Sequence, residues 1–258
     1  MCILLTAHAQ HSDYRLVVAA NRDEFYTRPS AAAANWEDQT GILGGRDLEY
    51  GGTWLAVNQF GAFSAITNIP KPAGVDTPRS RGLIVKDFLG GKSSPSSFFG
   101  KLAERPHCYA GFNALAWNEN SLMWYSNQRK GSQKLPPGVY GLSNHLLDTP
   151  WPKVTRIKAD FKTVKTLTGA ALVDALFSSL ANDRTETETS SPDNGCADKD
   201  THDLTPIFIA GDSYGTRCST VVLVSHAGRL TFIERRFGPR KLFLGESEFE
   251  FELNRRPT

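Results

Sequence analysis

The stretch LVVAANRDEFYTRP, residues 16–29, decides how this chain is read. Leu16 to Ala20 form an apolar run of strand type, and Asn21, Arg22, Asp23 and Glu24 end it. An amide, a guanidinium and two carboxylates in succession are costly at the end of a core strand unless each finds a partner. Upstream, residues 2–7 (CILLTA) make a second short apolar run, joined to residues 15–20 by the polar segment HAQHSDY. Two such runs with a polar connector read as a hairpin. Pairing them brings residues 21–24 beside Cys2. An arginine there favours a thiolate, and a carboxylate orients the arginine or holds an ammonium.

Cys2 itself has two readings. A free cysteine followed by Ile3, Leu4 and Leu5 is ordinary core. If the initiator methionine is removed, Cys2 carries a free α-amine with an unperturbed pKa of about 7.7–8.0. That amine can take the thiol proton, so one residue is both nucleophile and base.

The bulk properties exclude several classes. The chain has 258 residues, 40% of them hydrophobic and 22% charged, which is globular composition with room for a sizeable core. A net charge of +2 gives no argument for nucleic acid. Residues 183–203 carry seven acidic and two basic side chains and lack large apolar ones, which reads as a mobile acidic loop. The four cysteines, at 2, 108, 196 and 218, form no CxxC motif, so a zinc knuckle and covalent c-type haem attachment are unsupported. There is no basic leader and no stretch long enough to span a membrane. The chain reads as cytoplasmic, with one domain over residues 1–258.

Further along, TWLAVN and AFSAIT form a second hairpin around a Gly-containing loop, after an irregular stretch with paired glycines at 44–45 and 51–52. Residues 81–89 have helical spacing and stop at Gly90-Gly91, and Ser94-Pro95 opens a second short helix. FNALAW, SLMWYS and GVYGLSN return to strand character. Residues 152–167 and 170–180 read as helices; TPIFIA, STVVLVS, LTFIERRF and EFEFEL read as strands. Strands, helices, strands, helices, strands in this order imply stacked layers, not a doubly wound sheet.

MCILL, AANRDEFYTRP, GGTWLAV, TNIP, YGLSN followed by TPWPK, and YGTRCSTVVLV together resemble the NRDE family, that of transport and Golgi organization protein 2 and its bacterial homologues. The resemblance runs from Cys2 to the EFEFEL strand. It implies an α+β fold, the four-layer αββα sandwich of N-terminal-nucleophile (Ntn) hydrolases, and within that superfamily the choloylglycine hydrolase and penicillin V acylase branch, which cleaves linear amide bonds. By the same resemblance Cys2 matches the nucleophile, Asn68 an oxyanion-hole asparagine, Asn144 a second active-site asparagine, and Arg217 an arginine near the nucleophile. Arg22 and Asp23 stand where an Arg and an Asp flank the nucleophile. The spacing differs from the hydrolases' R-x-x-D, so Asp23 and Glu24 both remain candidates. These residue types suit acyl chemistry: side-chain amides stabilise an oxyanion, and guanidinium groups lower a thiol pKa.

Two function classes follow, with an adaptor role as a third. The family resemblance implies intracellular binding and trafficking of haem or another amphipathic ligand such as an acyl compound. Haem is then cargo, not a resident cofactor; haem-accepting proteins are partners, and mitochondrial association accompanies the cytoplasmic one. The alternative is a Cys2-dependent hydrolase or acyltransferase acting on linear amides through a thioester. For ligand binding the sequence offers Asn21, Glu24 and Arg28 beside the catalytic set, with Trp36 and Phe60 for an apolar wall and Trp54 and Phe63 assigned to the core. Arg22, Arg28, Arg79, Arg81 and Arg217 are available to propionates. Axial donors would come from Cys2, His8, His11, His107, Cys108, His145 or Cys218. No metal site is indicated.

Overall fold

The computed structural model of the chain describes residues 2–39, 41–70, 79–119, 121–184 and 206–254. From residue 185 onward the expected acidic loop lies outside these residues.

The first hairpin forms as expected. Strand β1 (Cys2–His8) pairs antiparallel with β2 (Tyr14–Phe25), placing Cys2 opposite Arg22 and Leu4 opposite Ala20. The second strand is longer than its apolar run. It continues through Asn21–Glu24 because β11 (Tyr214–Ser225) pairs along its other edge, setting Cys218 against Arg22, Thr216 against Asp23 and Gly215 against Glu24. With β10 (Gly138–Leu142), β12 (Arg229–Phe237) and β13 (Phe243–Glu252) these strands make a six-stranded sheet ordered β10-β1-β2-β11-β12-β13.

A second, seven-stranded antiparallel sheet runs in chain order: β3 (Ser30–Asn35), β4 (Ile42–Asp47), β5 (Leu55–Asn58), β6 (Phe63–Asn68), β7 (Phe112–Asn118), β8 (Ser121–Ser126) and β9 (Ser132–Leu135). Two of these correct the irregular stretch read after Pro29. The glycines of β4 are packing requirements, not turns: a Cβ on Gly44 would meet Ala56, and one on Gly45 would run into the Trp54 ring. The TPIFIA segment is corrected the other way. From Pro206 onward it is not a strand, although Ile207, Phe208 and Ile209 are buried.

Helices α1 (Gly82–Gly90) and α2 (Pro95–Leu102) cover the outer face of the seven-stranded sheet, and α3 (Pro152–Val164) and α4 (Gly169–Leu180) that of the six-stranded one. Three apolar layers result. Leu4, Val18, Val222 and Phe232 meet Leu55, Phe63 and Trp117 between the sheets. Ile3, Val17 and Val221 meet Ile157 and Leu176 beneath α3 and α4. Val85 and Phe99 meet Ala114 and Tyr125 beneath α1 and α2. Because side chains alternate along a strand, Cys2, Arg22 and Glu24 share the inter-sheet face with Leu4 and Ala20. Asn21 and Asp23 share the helix-side face with Ile3 and Ala19.

Candidate functional site

The polar end of β2 opens into a cleft of about 90 Å³ between the two sheets. Cys2, Arg22, Asp23, Glu24 and Arg28 line it from the first hairpin and the turn after it. Asp47, Thr53, Trp54, Ile66, Asn68, Ser80, Arg81 and Gly82 close it from the second sheet and the start of α1.

Cys2 is held through its backbone. Its N–H donates to Asn144 Oδ1 at 3.3 Å, and its carbonyl accepts the Ser143 hydroxyl at 2.7 Å. Asn144 Nδ2 donates to the Asn68 carbonyl at 2.8 Å, so the residues just after β10 tie Cys2 to the end of β6. The residue is half-buried and its thiol is free. Burial pushes that thiol up and the Asp23 charge adds to the rise, while the chain's α-ammonium, the Asp23 backbone and the Arg22 guanidinium oppose it.

Arg22 is only 6% exposed, and its guanidinium lies 4.2 Å from the centroid of the Trp54 ring. Trp54 is therefore a wall of the cleft as well as a neighbour of the core. Arg22 Nη1 has no hydrogen-bond partner among the described residues. Arg81 donates from Nη1 to the Gly111 carbonyl at 3.0 Å and, among the described residues, pairs with no carboxylate. Arg28 differs: its Nη2 is 2.6 Å from Asp47, Nη1 is 3.3 Å from Glu49, and Nε is 3.9 Å from Glu24. Among the described residues the cleft thus presents one cation paired with carboxylates, Arg28, and two without such a partner, Arg22 and Arg81.

The two candidate carboxylates have different surroundings. Asp23 is 5% exposed and accepts the Thr216 hydroxyl at 2.7 Å. Burial raises its pKa, against the pull of the chain's α-ammonium and then of Lys153, Thr216 and Arg22. Glu24 is more open, and its Oε1 accepts the backbone N–H of Phe25 at 2.9 Å.

Several sequence candidates stand elsewhere. Asn21 is a structural pin. Its Nδ2 donates to the Leu180 and Ile207 carbonyls at 2.9 and 2.8 Å, and its Oδ1 accepts the Ser219 hydroxyl at 2.6 Å. Trp36 packs under α1 with its indole N–H on the Gly44 carbonyl, and Phe60 lies in the β5–β6 turn at the far end of that hairpin from Asn68. Arg217, on the β11 bulge, turns toward the segment after β2. Its guanidinium donates to the Phe25 and Arg28 carbonyls at 2.8 and 3.0 Å and to the Ser30 hydroxyl at 3.2 Å. Of the axial-donor candidates, Cys2 lines the cleft and His8, His11, His107, Cys108, His145 and Cys218 do not.

Residues without a role in the sequence reading complete the site. Lys153, from the TPWPK motif, is 3% exposed at the second position of α3. Glu234 is 1% exposed and accepts the Ala33 N–H at 2.8 Å, tying the two sheets together behind Arg22. Its signal was present: Glu234 is in phase with Leu230 and Phe232 on the core face of β12. Thr216, which orients Asp23, sits inside the YGTRCST motif.

Two antiparallel sheets between helical layers, with a cysteine at the start of the first strand facing the cleft, define the architecture of the Ntn-hydrolase fold. Solved structures agree at the level of fold. A C2A variant of conjugated bile acid hydrolase from Clostridium perfringens superposes with a TM-score of 0.54 at 8% identity, covering 98% of this chain and 92% of that one. A Caenorhabditis elegans N-acylethanolamine-hydrolyzing acid amidase ortholog gives 0.51 at 11% identity, covering 86% and 92%. Residues 1–239 match the family model of Transport and Golgi organisation 2. The chain is 35% identical over 257 residues to the human Transport and Golgi organization protein 2 homolog, covering 93% of each. The chain belongs to this family.

Proposed function

We propose that the cleft binds the anionic head of an amphipathic ligand and that the chain carries such a ligand, haem being the leading cargo, to an accepting protein. The observation that carries this reading is the pair of guanidiniums, Arg22 and Arg81, that line so small a cleft beside Cys2 with no carboxylate partner among the described residues. A whole small-molecule pocket usually measures about 300–1,000 Å³, so about 90 Å³ takes a carboxylate head and little more. The rest of the ligand must lie outside. There the end of β2 and the turn after β4 expose Phe25, Leu48 and Tyr50, each 55–56% accessible and each within three residues of a cleft-lining side chain. A charged recess with an apolar rim suits propionates below a macrocycle, or a carboxylate below a hydrocarbon chain. The test is a haem titration followed by mixing with an apo-haemoprotein. A saturable Soret shift, transfer faster than from free haem, and an affinity about tenfold weaker in Arg81→Gln, as for one lost charge-assisted contact, support the reading. No saturable shift, or transfer no faster than free haem, overturns it.

The position of Cys2 favours a second reading, a hydrolase or acyltransferase acting on linear amides. A ligand carbonyl in the cleft would meet the thiol. Thiolate attack forms the thioester, the amine leaves with a proton, and water then releases the acid. The solved neighbours named for amide hydrolysis share the fold that such chemistry uses, and fold alone does not carry activity. Against it stand the upward-shifted thiol, an Asn144 amide donating to the Asn68 carbonyl, and an Arg217 turned away. Cys2→Ala must abolish turnover of an acyl amide on this reading; unchanged turnover rejects it.

A further inference from the structure

Seven large apolar side chains stand exposed among the described residues, and six of them are at one end of the molecule. Phe25 closes β2, Leu48 and Tyr50 follow β4, and Leu242, Phe243 and Leu244 lead into β13. The antiparallel ladders bring the end of β2 and the start of β13 to the end of the six-stranded sheet that holds Cys2. Asp47, which precedes Leu48, lines the cleft itself. The seventh, Leu167, is at the opposite end, where its carbonyl meets His11 of the β1–β2 connector.

The six belong to three neighbouring tips. The Phe25 ring meets Tyr214 edge-on with centroids 5.1 Å apart, and the segment just before Tyr214 reaches the β12–β13 connector, where the Arg240 N–H donates to the Gly211 carbonyl at 3.0 Å. Arg28 lies 5.3 Å from the Tyr50 ring centroid and joins the third tip. Leu242, Phe243 and Leu244 are each 54–60% exposed. Alternation along a half-buried strand would hide at least one of three consecutive side chains, and such an exposed apolar run is a fault unless it has a use. The run is held out by its backbone. Arg240 and Lys241 precede it with φ of 53° and 63°, a left-handed conformation uncommon outside glycine. Lys241 Nζ fixes the connector on the Ala181 carbonyl at 2.7 Å.

Two observations say what this face meets. Its cations are already neutralised: Arg28 by Asp47, Arg240 by Asp212 and Lys241 by Asp183. The contact is therefore apolar in origin. Beside the β13 tip, a groove of about 530 Å³ is lined by Phe177, Phe237 and Phe243, over the ion pair of Arg235 and Glu246. Its size falls within the range of about 300–1,000 Å³ usual for small-molecule pockets, enough for a hydrocarbon chain. A lipid layer presents such chains at every point of contact and yields to separate tips, whereas a protein partner must match each tip in shape.

We propose that the cleft-bearing end of the protein seats on a lipid layer, with Leu242, Phe243, Leu244 and Phe25 inserted at the headgroup–acyl boundary. The cleft then faces the layer. This goes beyond the reading of the cleft and does not depend on it.

The experiment is co-sedimentation of the full chain with phosphatidylcholine vesicles that carry no haem. Failure here leaves the haem titration to stand or fall by itself. We expect saturable partitioning that changes less than about twofold with salt, because screening acts on unpaired charges. The triple variant Leu242→Ser, Phe243→Ser, Leu244→Ser should partition about tenfold or more weakly, as three apolar side chains no longer leave water. Leu167→Ser, at the far end, should bind like the wild type. Absence of binding, the outcome for a face built to meet a protein, overturns the proposal. A triple variant that binds as well as the wild type overturns it, as does binding that requires anionic lipid and is lost in salt. If the triple variant shows no cooperative thermal transition, Phe25→Ser decides: partitioning about threefold weaker supports the proposal, and unchanged partitioning overturns it.

Discussion

Replacing Asn21 by alanine tests the claim that the first polar residue of the NRDE run holds the fold and does not touch the ligand. Three hydrogen bonds end on its side chain, at 2.9, 2.8 and 2.6 Å, all of them buried. They join the last turn of α4 and the segment before β11 to the centre of the six-stranded sheet. At a net value of about 1 kcal/mol each, their loss amounts to roughly 3 kcal/mol, and more where the Leu180 and Ile207 carbonyls or the Ser219 hydroxyl are left without water. For a domain of this size that corresponds to a fall in Tm of about 6–12 °C. Urea denaturation followed by tryptophan fluorescence gives the free energy directly, and Ser219→Ala in a double-mutant cycle should return a coupling of about 1 kcal/mol. Asn21→Asp should be worse than alanine at neutral pH, because it faces two carbonyl oxygens with a carboxylate. A cost for Asn21→Ala below about 1 kcal/mol would refute the pinning role.

Gly45→Ala would drive its Cβ into the Trp54 ring and to 3.0 Å from Glu234 Oε2. We expect about 1–3 kcal/mol of destabilisation, with altered tryptophan fluorescence as the ring leaves Arg22; an unchanged midpoint and spectrum would contradict the packing. Glu234→Gln tests a buried carboxyl whose pKa is raised by burial above the ordinary carboxylate range. A raised folded pKa means the folded state holds the proton more tightly, so its contribution is complete below the unfolded value and is lost as pH rises through the folded one. Glutamine keeps an acceptor for Ala33 and has no proton to lose. The stability of Glu234→Gln relative to wild type should therefore increase as pH rises from the ordinary carboxylate range through the raised pKa of the folded state, in denaturation experiments; a constant difference would refute the assignment.

The hairpin that brings Cys2 to Arg22 was legible because two apolar runs and a polar connector admit few other pairings. What the run does inside the sheet was not. Its partners Thr216 and Ser219 lie more than a hundred residues away, and period-two alternation then sends Asn21 and Asp23 to one face and Arg22 and Glu24 to the other. Strands β3 and β4 looked irregular because Ala and Gly are poor strand formers in isolation. Here Ala56 and Trp54 demand small residues opposite them. The apolar residues of TPIFIA predicted burial correctly and a ladder wrongly: Ile209 exchanges its backbone bonds with Thr216, and the segment packs without a strand partner. Arg217 was placed by motif resemblance near the nucleophile. The β11 bulge redirects it, and a bulge leaves no mark in residue types.

The central claim is that an anionic head group enters the cleft beside Cys2. The most direct measurement is the rate of Cys2 alkylation with and without saturating ligand, using haem and a long-chain carboxylate in turn, with Cys108 as reference in the same sample. Occupancy of the cleft predicts that either ligand slows Cys2 severalfold, leaves Cys108 unchanged, and loses much of this protection in Arg81→Gln. A bound ligand that leaves the Cys2 rate untouched would place its site elsewhere on the protein and contradict the account.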